Sequence, residues 1–458
     1  MNSADQSRMQ ADTHQSHPPR TLHIVLNGVN EDSRVLKSAW SLGTAGWDVV
    51  VVGSAPTGEP DEMSIGYATI KRLPLKIVIS KSQVPALFRP FIRGERTRWF
   101  IEGSLRHLRR YRRKAFEVLG IKREVVVPNL ARAVKAITAV ALEFKPNIIH
   151  AHDYTALPIA GAVVESMREA GIPVELIYDA HEYVPGVAHL TKPMANLYTK
   201  IERKYCQVAA AVLSVSEPMN DLLMDQLAIT TRPTIVANDP LVEGQEPSRR
   251  QLRSDCGIAA DVPLMVYSGA VAPQRGVQTA LAALRSLPSV HLALIANPGN
   301  KSVQDLVASA PDLADRFHVL PYVPNSELVS YLSQADIGLI PILHRLNHEI
   351  SLITKFGEYM QARLPILVSD VKTMAAEVRK LGNGEVHIAD DVDDFVRAAQ
   401  LILAQPQKYR DAYTSEVLAE HTWESQAEVL VALYNKVAGV KPTARPYLPF
   451  LVKTVEKA

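Results

Sequence analysis

TLHIVLNGVNEDSRVLKSAWSLGTAGWDVVVV, Thr21 to Val52, places a short apolar strand, a helix and a second strand in succession. Residues 22–26 form the first apolar run. Over residues 34–45 the apolar side chains Val35, Leu36, Ala39, Trp40 and Leu42 recur at helical spacing, and Gly46 closes the helix before residues 49–52 begin the next strand. Strand, helix and strand within about thirty residues make a βαβ unit, whose crossover requires parallel strands.

Working outward, strands are expected at residues 147–151, 174–178, 211–215 and 234–236. With the first two they make six parallel strands of one doubly wound domain, residues 21–238. Residues 239–263 are polar and broken by Pro and Gly, with a helical pattern only over 249–256, and read as a linker. A second α/β series follows, with strands at 264–267, 290–295, 318–319, 337–340 and 365–368, in a domain spanning 264–420. Residues 421–438 then form a helix with Trp423, Ala427, Leu430 and Leu433 on one face, long enough to cross back to the first domain. Residues 1–20, rich in Gln, Ser, His and Pro, are expected to be a flexible leader, and 439–458 a frayed tail. The fold class is therefore α/β, with two doubly wound domains facing a central cleft. Ligands of such sheets bind beyond the carboxyl ends of the strands.

Composition narrows the function classes. In 458 residues, 47% are hydrophobic and 21% charged, which excludes a disordered chain. No apolar stretch reaches the ~18 residues of a membrane-spanning helix. Cys206 and Cys256 are the only cysteines, too few for a disulfide framework or a four-ligand zinc site. A cytoplasmic location is expected. The net charge of +2 hides a basic segment, 84–123, with twelve Lys or Arg against three Glu. There Ile101, Leu105, Leu108, Phe116 and Leu119 line one helical face, and Arg106, Arg109, Arg110 and Arg113 lie largely on another. This pattern suits peripheral attachment to an anionic membrane on the inner face of the cell membrane. A solvated helical face is the competing reading, since Pro85, Pro90, Gly94 and Gly103 interrupt it. Nucleic acid is not expected as a partner, because no binding module accompanies the charge.

Three segments carry candidate chemistry. In NHEISLITKFGEYMQARLPILVSD, residues 347–370, a polar loop ends at Ser351 and a helix runs over 354–363. Lys355 and Glu358 share a face near its start, where free amides, the helix dipole and the lysine suit a diphosphate and Glu358 suits a vicinal diol. An exposed, salt-bridged helix start is the alternative. In LMVYSGAVAPQRG, residues 264–276, Gly269 at a strand end permits close approach of a phosphate, and Arg275 can fork two phosphate oxygens. In IYDAHEYVP, residues 177–185, His181 and Glu182 follow a buried strand, at the sheet edge where such folds hold ligands. His152-Asp153 is a weaker case of the same kind.

Together these segments resemble the retaining glycosyltransferases of family four, the group 1 type, which share the GT-B arrangement of two Rossmann-like domains. The resemblance covers roughly residues 21–438. KFGEYMQARLPILVSD is similar to the donor-site helix of those enzymes, GAVAPQRG to their phosphate loop and YVPNSELVSYLSQADIGLIPI to the stretch bordering the nucleobase. YDAHE is similar to their first-domain active-site loop and HTWESQAEVLVALY to their returning helix. The resemblance implies a nucleotide-sugar donor, UDP being the favoured nucleotide, and a saccharide or lipid-linked saccharide acceptor, as in polysaccharide biosynthesis. It implies that Glu358 holds the ribose, that Arg275 and Lys355 hold the diphosphate beside Gly269 and Ser351, and that His181 lies by the transferred sugar. Glu182, Glu349 and Asp153 are candidate sugar or acceptor contacts.

Three departures stand out. The family's pair of glutamates separated by seven residues has Ile350 in its first place, with Glu349 one position early. Its Gly-Arg phosphate loop reads Gly269-Ala270, and NGVNEDSRV replaces the glycine pair after the first strand. No Asp-x-Asp stands at a strand end, and residues 390–394 read as helix-capping acids, so neither a metal nor another cofactor is expected. Arg275, Lys355 and helix amides would supply the charge that expels the diphosphate. Sugar-nucleotide epimerisation and a non-catalytic GT-B binding protein are the alternative functions.

Overall fold

The computed structural model describes residues 17–30, 32–75 and 128–454. The basic segment 84–123 and most of the leader lie outside them.

Two sheets organise the chain. The first runs in the order β15-β3-β4-β2-β1-β5-β6-β7-β8. Its strands are β1 (Arg20–Ile24), β2 (Asp48–Ser54), β3 (Asp61–Ile65), β4 (Ala68–Leu73), β5 (Ile148–His152), β6 (Glu175–Asp179), β7 (Ala211–Ser214) and β8 (Thr234–Ile235), with β15 (Val452–Thr454) on the far edge. β1 pairs in parallel with both β2 and β5, so the strand order reverses there and opens a crevice at their carboxyl ends. The interior of β2 is an unbroken buried Val run, as expected of a parallel strand covered on both faces.

The second sheet has the order β11-β10-β9-β12-β13-β14. It comprises β9 (Leu264–Ser268), β10 (His291–Ile295), β11 (Phe317–Leu320), β12 (Ile337–Ile340), β13 (Ile366–Ser369) and β14 (Gly384–His387). All its pairings are parallel, and its switch point lies between β9 and β12. Each sheet is sandwiched between apolar clusters on its two faces.

The first sheet is larger than the six parallel strands expected from sequence. The added β3 and β4 form an antiparallel hairpin around Gly66, whose φ of +53° makes the turn, and β4 extends the parallel set beside β2. β14 adds an edge to the second sheet. All three are short and only partly buried, and so lack a continuous apolar signature.

The tail corrects a second expectation. β15 pairs antiparallel with β3, Trp40 Nε1 donates to the Leu448 carbonyl at 2.9 Å, Tyr67 OH to that of Pro446 at 2.9 Å, and Arg445 pairs with Asp48 at 2.6 Å. Its partners are β3's free edge and side chains some four hundred residues earlier, which its own composition does not encode.

The helix Trp423–Ala438 starts at Thr422, whose hydroxyl accepts from Ser425 N at 3.2 Å, and ends at Gly439 in the left-handed conformation. Trp423, Leu430 and Tyr434 are fully buried in the first domain's core, and Trp423 Nε1 donates to Ser41 Oγ at 2.9 Å. Both cysteines are buried and free. Among the described residues no helix is long and apolar enough to cross a membrane.

Candidate active site

One wall is built at the carboxyl end of β9. Gly269 has φ +126°, and a Cβ there would stand 2.4 Å from Lys355 Nζ, so the glycine both makes the turn and leaves room for the ammonium. Lys355 lies in the first turn of the helix Thr354–Gln361, with its Nζ 5.3 Å from the Tyr267 ring centre. Burial brings its ammonium down to about 8, opposed by Glu358 and reinforced by Arg275. Arg275 ends the turn Pro273–Arg275, and Gly276 follows it at φ +66°, where a Cβ would collide with the Pro341 carbonyl at 1.7 Å. Helix and sheet are locked by Tyr359, whose hydroxyl reaches Ser268 N at 3.1 Å.

Glu358 projects from the same helix face as Lys355. Burial raises its carboxyl, opposed by Lys355 and by Lys37 of the helix Ser33–Thr44 in the other domain. Lys37 donates to the Asp239 carbonyl and lies 4.6 Å from the Trp423 ring centre; burial brings it down to about 7. Beside this group is an interdomain cavity of about 520 Å³ lined by Lys37, Leu328, Glu358, Tyr447 and Phe450.

The opposite wall is the carboxyl edge of β5 and β6. Asp179, the last residue of β6, is buried and accepts two hydrogen bonds from Arg34, Nε to Oδ2 at 2.8 Å and Nη2 to Oδ1 at 2.7 Å. His181 Nε2 lies 3.2 Å from Asp179 Oδ2, with its ring 19% exposed towards the cleft. Burial alone would lower His181; the Asp179 carboxylate outweighs it and the net direction is upward. Asp179 itself is held well below the carboxylate range, because Arg34 and the imidazoles override its desolvation. Asp153 opens the helix Asp153–Glu169 at φ +68°, its carboxyl pushed up to about 6 by burial. His152 is fully buried beneath His181 rather than presented to the cleft.

The segment around residue 350 contains a helical turn, Leu346–Ile350, where sequence suggested a loop. Ile350 packs in the first domain's core and its carbonyl accepts from Ser216, while Asn347 Oδ1 accepts from Tyr183 N at 3.1 Å. Glu349 is engaged by His344 Nδ1 at 2.5 Å and Lys372 N at 2.9 Å. Ser351 lies in extended backbone before the donor helix. Gly269, Arg275, Lys355 and Glu358 thus come together on one wall, and Asp153, His181 and Glu182 belong to the other. Residues 390–394 cap a helix, Asp391 accepting from Asp394 N at 2.9 Å.

Sequence reading did not single out Arg34, Lys37, Asp179 or Tyr434. A signal existed: Arg34, Lys37, Ser38 and Ser41 recur at helical spacing and are all buried, a polar stripe whose partners include Asp179, the Asp239 carbonyl and Trp423. Among the described residues two groups of potential metal ligands have donor atoms within 4.8 Å of one another, His23-His150-His152 and His152-Asp179-His181. In the first, His152 Nε2 and His23 Nδ1 hydrogen-bond each other; in the second, Arg34 occupies both Asp179 oxygens and would repel a cation. Both are better described as a proton network.

A groove of about 540 Å³, lined by Asn27, Asn30, Asp32, Arg72 and Asn238, lies on the first-domain side. Asn238 joins the walls through its Nδ2, 3.1 Å from Thr354 Oγ1.

With this geometry in hand, known proteins can be compared. The family described as Glycosyl transferases group 1 matches residues 248–416, and the Glycosyl transferase 4-like domain matches 32–239. D-inositol 3-phosphate glycosyltransferase of Mycobacterium marinum is 23% identical over 312 residues, 64% of this chain and 64% of the relative, so the chain spans under two thirds of that protein's length. Among solved structures, sucrose-phosphate synthase from Thermosynechococcus elongatus superposes with TM-score 0.66 at 18% identity, covering 92% of this chain and 99% of that one. Anabaena Alr3699/HepE in complex with UDP-glucose gives 0.62 at 12% identity, covering 91% and 99%.

Proposed function

Because the chain belongs to the GT4 family of GT-B glycosyltransferases, we propose that it transfers a sugar, with retention of anomeric configuration and without a divalent metal, from a UDP-sugar to a saccharide or lipid-linked saccharide. The observation that carries this reading is the Gly269-Lys355 pair, with Arg275 and Glu358 beside it. A half-buried ammonium over a strand end that has no side chain is suited to a diphosphate. UDP is favoured because the structural neighbour HepE was crystallised with UDP-glucose.

In the proposed reaction Glu358 accepts hydrogen bonds from the ribose diol, while Arg275 and Lys355 hold the diphosphate. The acceptor hydroxyl oxygen bonds to C1 of the sugar on the face from which the C1–O phosphate bond breaks. Its proton passes to the departing phosphate oxygen, and the nucleoside diphosphate leaves with both electrons of the broken bond. His181, partnered by Asp179, orients the sugar and donates towards the leaving phosphate. The groove at Asn27, Asp32 and Arg72 is the room for the acceptor.

A panel of UDP- and GDP-sugars with saccharide acceptors tests this by nucleotide release and by NMR of the product's anomeric proton. Retained configuration and undiminished turnover in EDTA are expected. Inverted product, loss of turnover in EDTA, or exchange at the sugar C2 without transfer would overturn the reading.

A further inference from the structure

Beneath His181 lies a polar network that the reaction above does not use. His152 Nε2 stands 3.0 Å from His23 Nδ1, His23 Nε2 3.1 Å from the Tyr434 hydroxyl, and that hydroxyl 2.6 Å from His150 Nδ1. The remaining nitrogens, His152 Nδ1 and His150 Nε2, face Asp179 Oδ2 at 3.5 and 3.7 Å, stretched contacts through which an N–H on either ring can reach the carboxylate. Starting and ending at one carboxylate oxygen, these groups form a closed ring. All are buried, and Tyr434 comes from the returning helix.

We propose that Tyr434 is a positioning residue for His181: by tying His23 to His150 it lets only one of the two histidines under Asp179 donate to that carboxylate at a time, leaving negative charge for His181. This rests on the reading of His181 as the residue beside the transferred sugar.

Proton counting supports it. The ring has five links, but three neutral imidazoles and one phenol supply four protons. Burial pushes His23, His150 and His152 below their ordinary values, favouring the neutral forms. The Tyr434 hydroxyl, which Thr21 also bonds, has one proton, and its contacts of 3.1 Å to His23 and 2.6 Å to His150 have it donate to one imidazole and accept from the other. If His150 turns its N–H to Asp179, its Nδ1 accepts from Tyr434, His23 donates to Tyr434, His152 donates to His23, and His152 Nδ1 faces Asp179 bare. If His152 donates to Asp179, the same sequence reversed leaves His150 Nε2 bare. In either arrangement the empty link is one of the two longest separations of the ring.

Tyr434→Phe cuts the ring, so His150 and His152 choose tautomers independently and both donate to Asp179. The carboxylate becomes a poorer partner for the His181 imidazolium, whose titration moves down. Other charges facing His181, namely Arg34, Asp153 and Glu182, are unaltered.

The test is 15N NMR of the histidine rings of the full-length protein across pH 5–9, with His181 assigned by its loss in His181→Gln. The His181 midpoint is expected to fall by ~0.5 to 1 unit in Tyr434→Phe, and wild type to show one of His150 and His152 with a bare nitrogen facing Asp179. His23→Leu cuts the ring elsewhere and should move His181 the same way, which covers a Tyr434 variant that fails to fold. An unmoved midpoint in a folded variant, or both wild-type nitrogens protonated, would overturn the inference. If His181 shifts as stated but no nucleotide sugar is turned over, the transferase reading fails and the ring stands.

Discussion

Lys355 makes nucleotide binding depend on pH in a way that can be worked out. Burial brings its ammonium down to about 8 in the unliganded protein. A terminal phosphate has finished its second ionisation, near 6, by pH 7.5, and Lys37, brought down to about 7, is by then mostly neutral, so above that pH the change in charge on this wall is chiefly that of Lys355. Only the charged lysine grips the diphosphate, and the competent fraction falls tenfold for each unit well above 8. At pH 9 about one molecule in eleven remains charged, so the UDP Kd should rise about tenfold, ~1.4 kcal/mol. Isothermal titration with UDP at constant ionic strength between pH 7.5 and 9.5 measures this. Lys355→Arg keeps its charge throughout and should give a flat profile. A flat wild-type profile, or an arginine variant that follows the wild-type curve, would refute the reasoning. The sign for folding is opposite. A lysine whose folded value lies below its unfolded value opposes folding most at low pH, and that penalty is relieved as pH rises from about 8 towards 10.5. The unliganded protein therefore gains stability from this residue over the interval in which it loses UDP.

Other expectations follow from the same walls. Glu358→Gln should weaken UDP by about tenfold, the cost of one or two hydrogen bonds to a charged acceptor, while leaving inorganic pyrophosphate unaffected in competition assays. Gly269→Ala places a methyl 2.4 Å from Lys355 Nζ at φ +126°, and should lower stability in urea melts by ~1–3 kcal/mol and reduce UDP affinity more than Glu358→Gln does. Arg34→Met leaves Asp179 a buried charge without its guanidinium, so a loss of ~3–5 kcal/mol in chemical denaturation is expected. For the basic segment, changing Arg106, Arg109, Arg110 and Arg113 to Glu should abolish flotation with anionic liposomes if that segment is a membrane contact.

The fold was legible where the chain is covered on both sides. The Val run of β2 and the buried Leu264–Tyr267 of β9 are continuous, β1 and β5 keep enough apolar side chains around their buried histidines to read as strands, and the helices between them repeat their apolar side chains at a period that survives any tertiary detail. What escaped was defined by its partners: β3 exists through its hairpin with β4, and β15 through its pairing with β3 some four hundred residues earlier. That Gly269, Arg275, Lys355 and Glu358 share one wall was legible because they lie in two local segments whose strand-turn-helix context fixes their direction. Asp179 was not, because nothing in IYDAHE says that its partner is Arg34, 145 residues earlier. Tyr434 was hidden for a related reason. An aromatic on the apolar face of a helix reads as core, and its burial is indeed complete, but its hydroxyl closes a ring assembled from β1 and β5.

The departure at Ile350 has a physical consequence for the cleft. Where the resemblance leads one to expect a glutamate turned towards a sugar, this chain has an isoleucine buried in the opposite domain, with its own carbonyl and the neighbouring Asn347 bonded there as well. A carboxylate could not occupy that position without burial among apolar side chains, which costs several kcal/mol. The segment therefore acts as a strap between domains, and Glu349, held by His344 and the Lys372 amide, does not replace the missing group in this arrangement. If the transferase reading holds, recognition of the sugar hydroxyls falls to the wall that carries His181, Glu182 and Asp153. These side chains are set by β5, β6 and the helix ends that follow them, so donor-sugar specificity would be decided in the domain that also carries the groove at Asn27, Asp32 and Arg72.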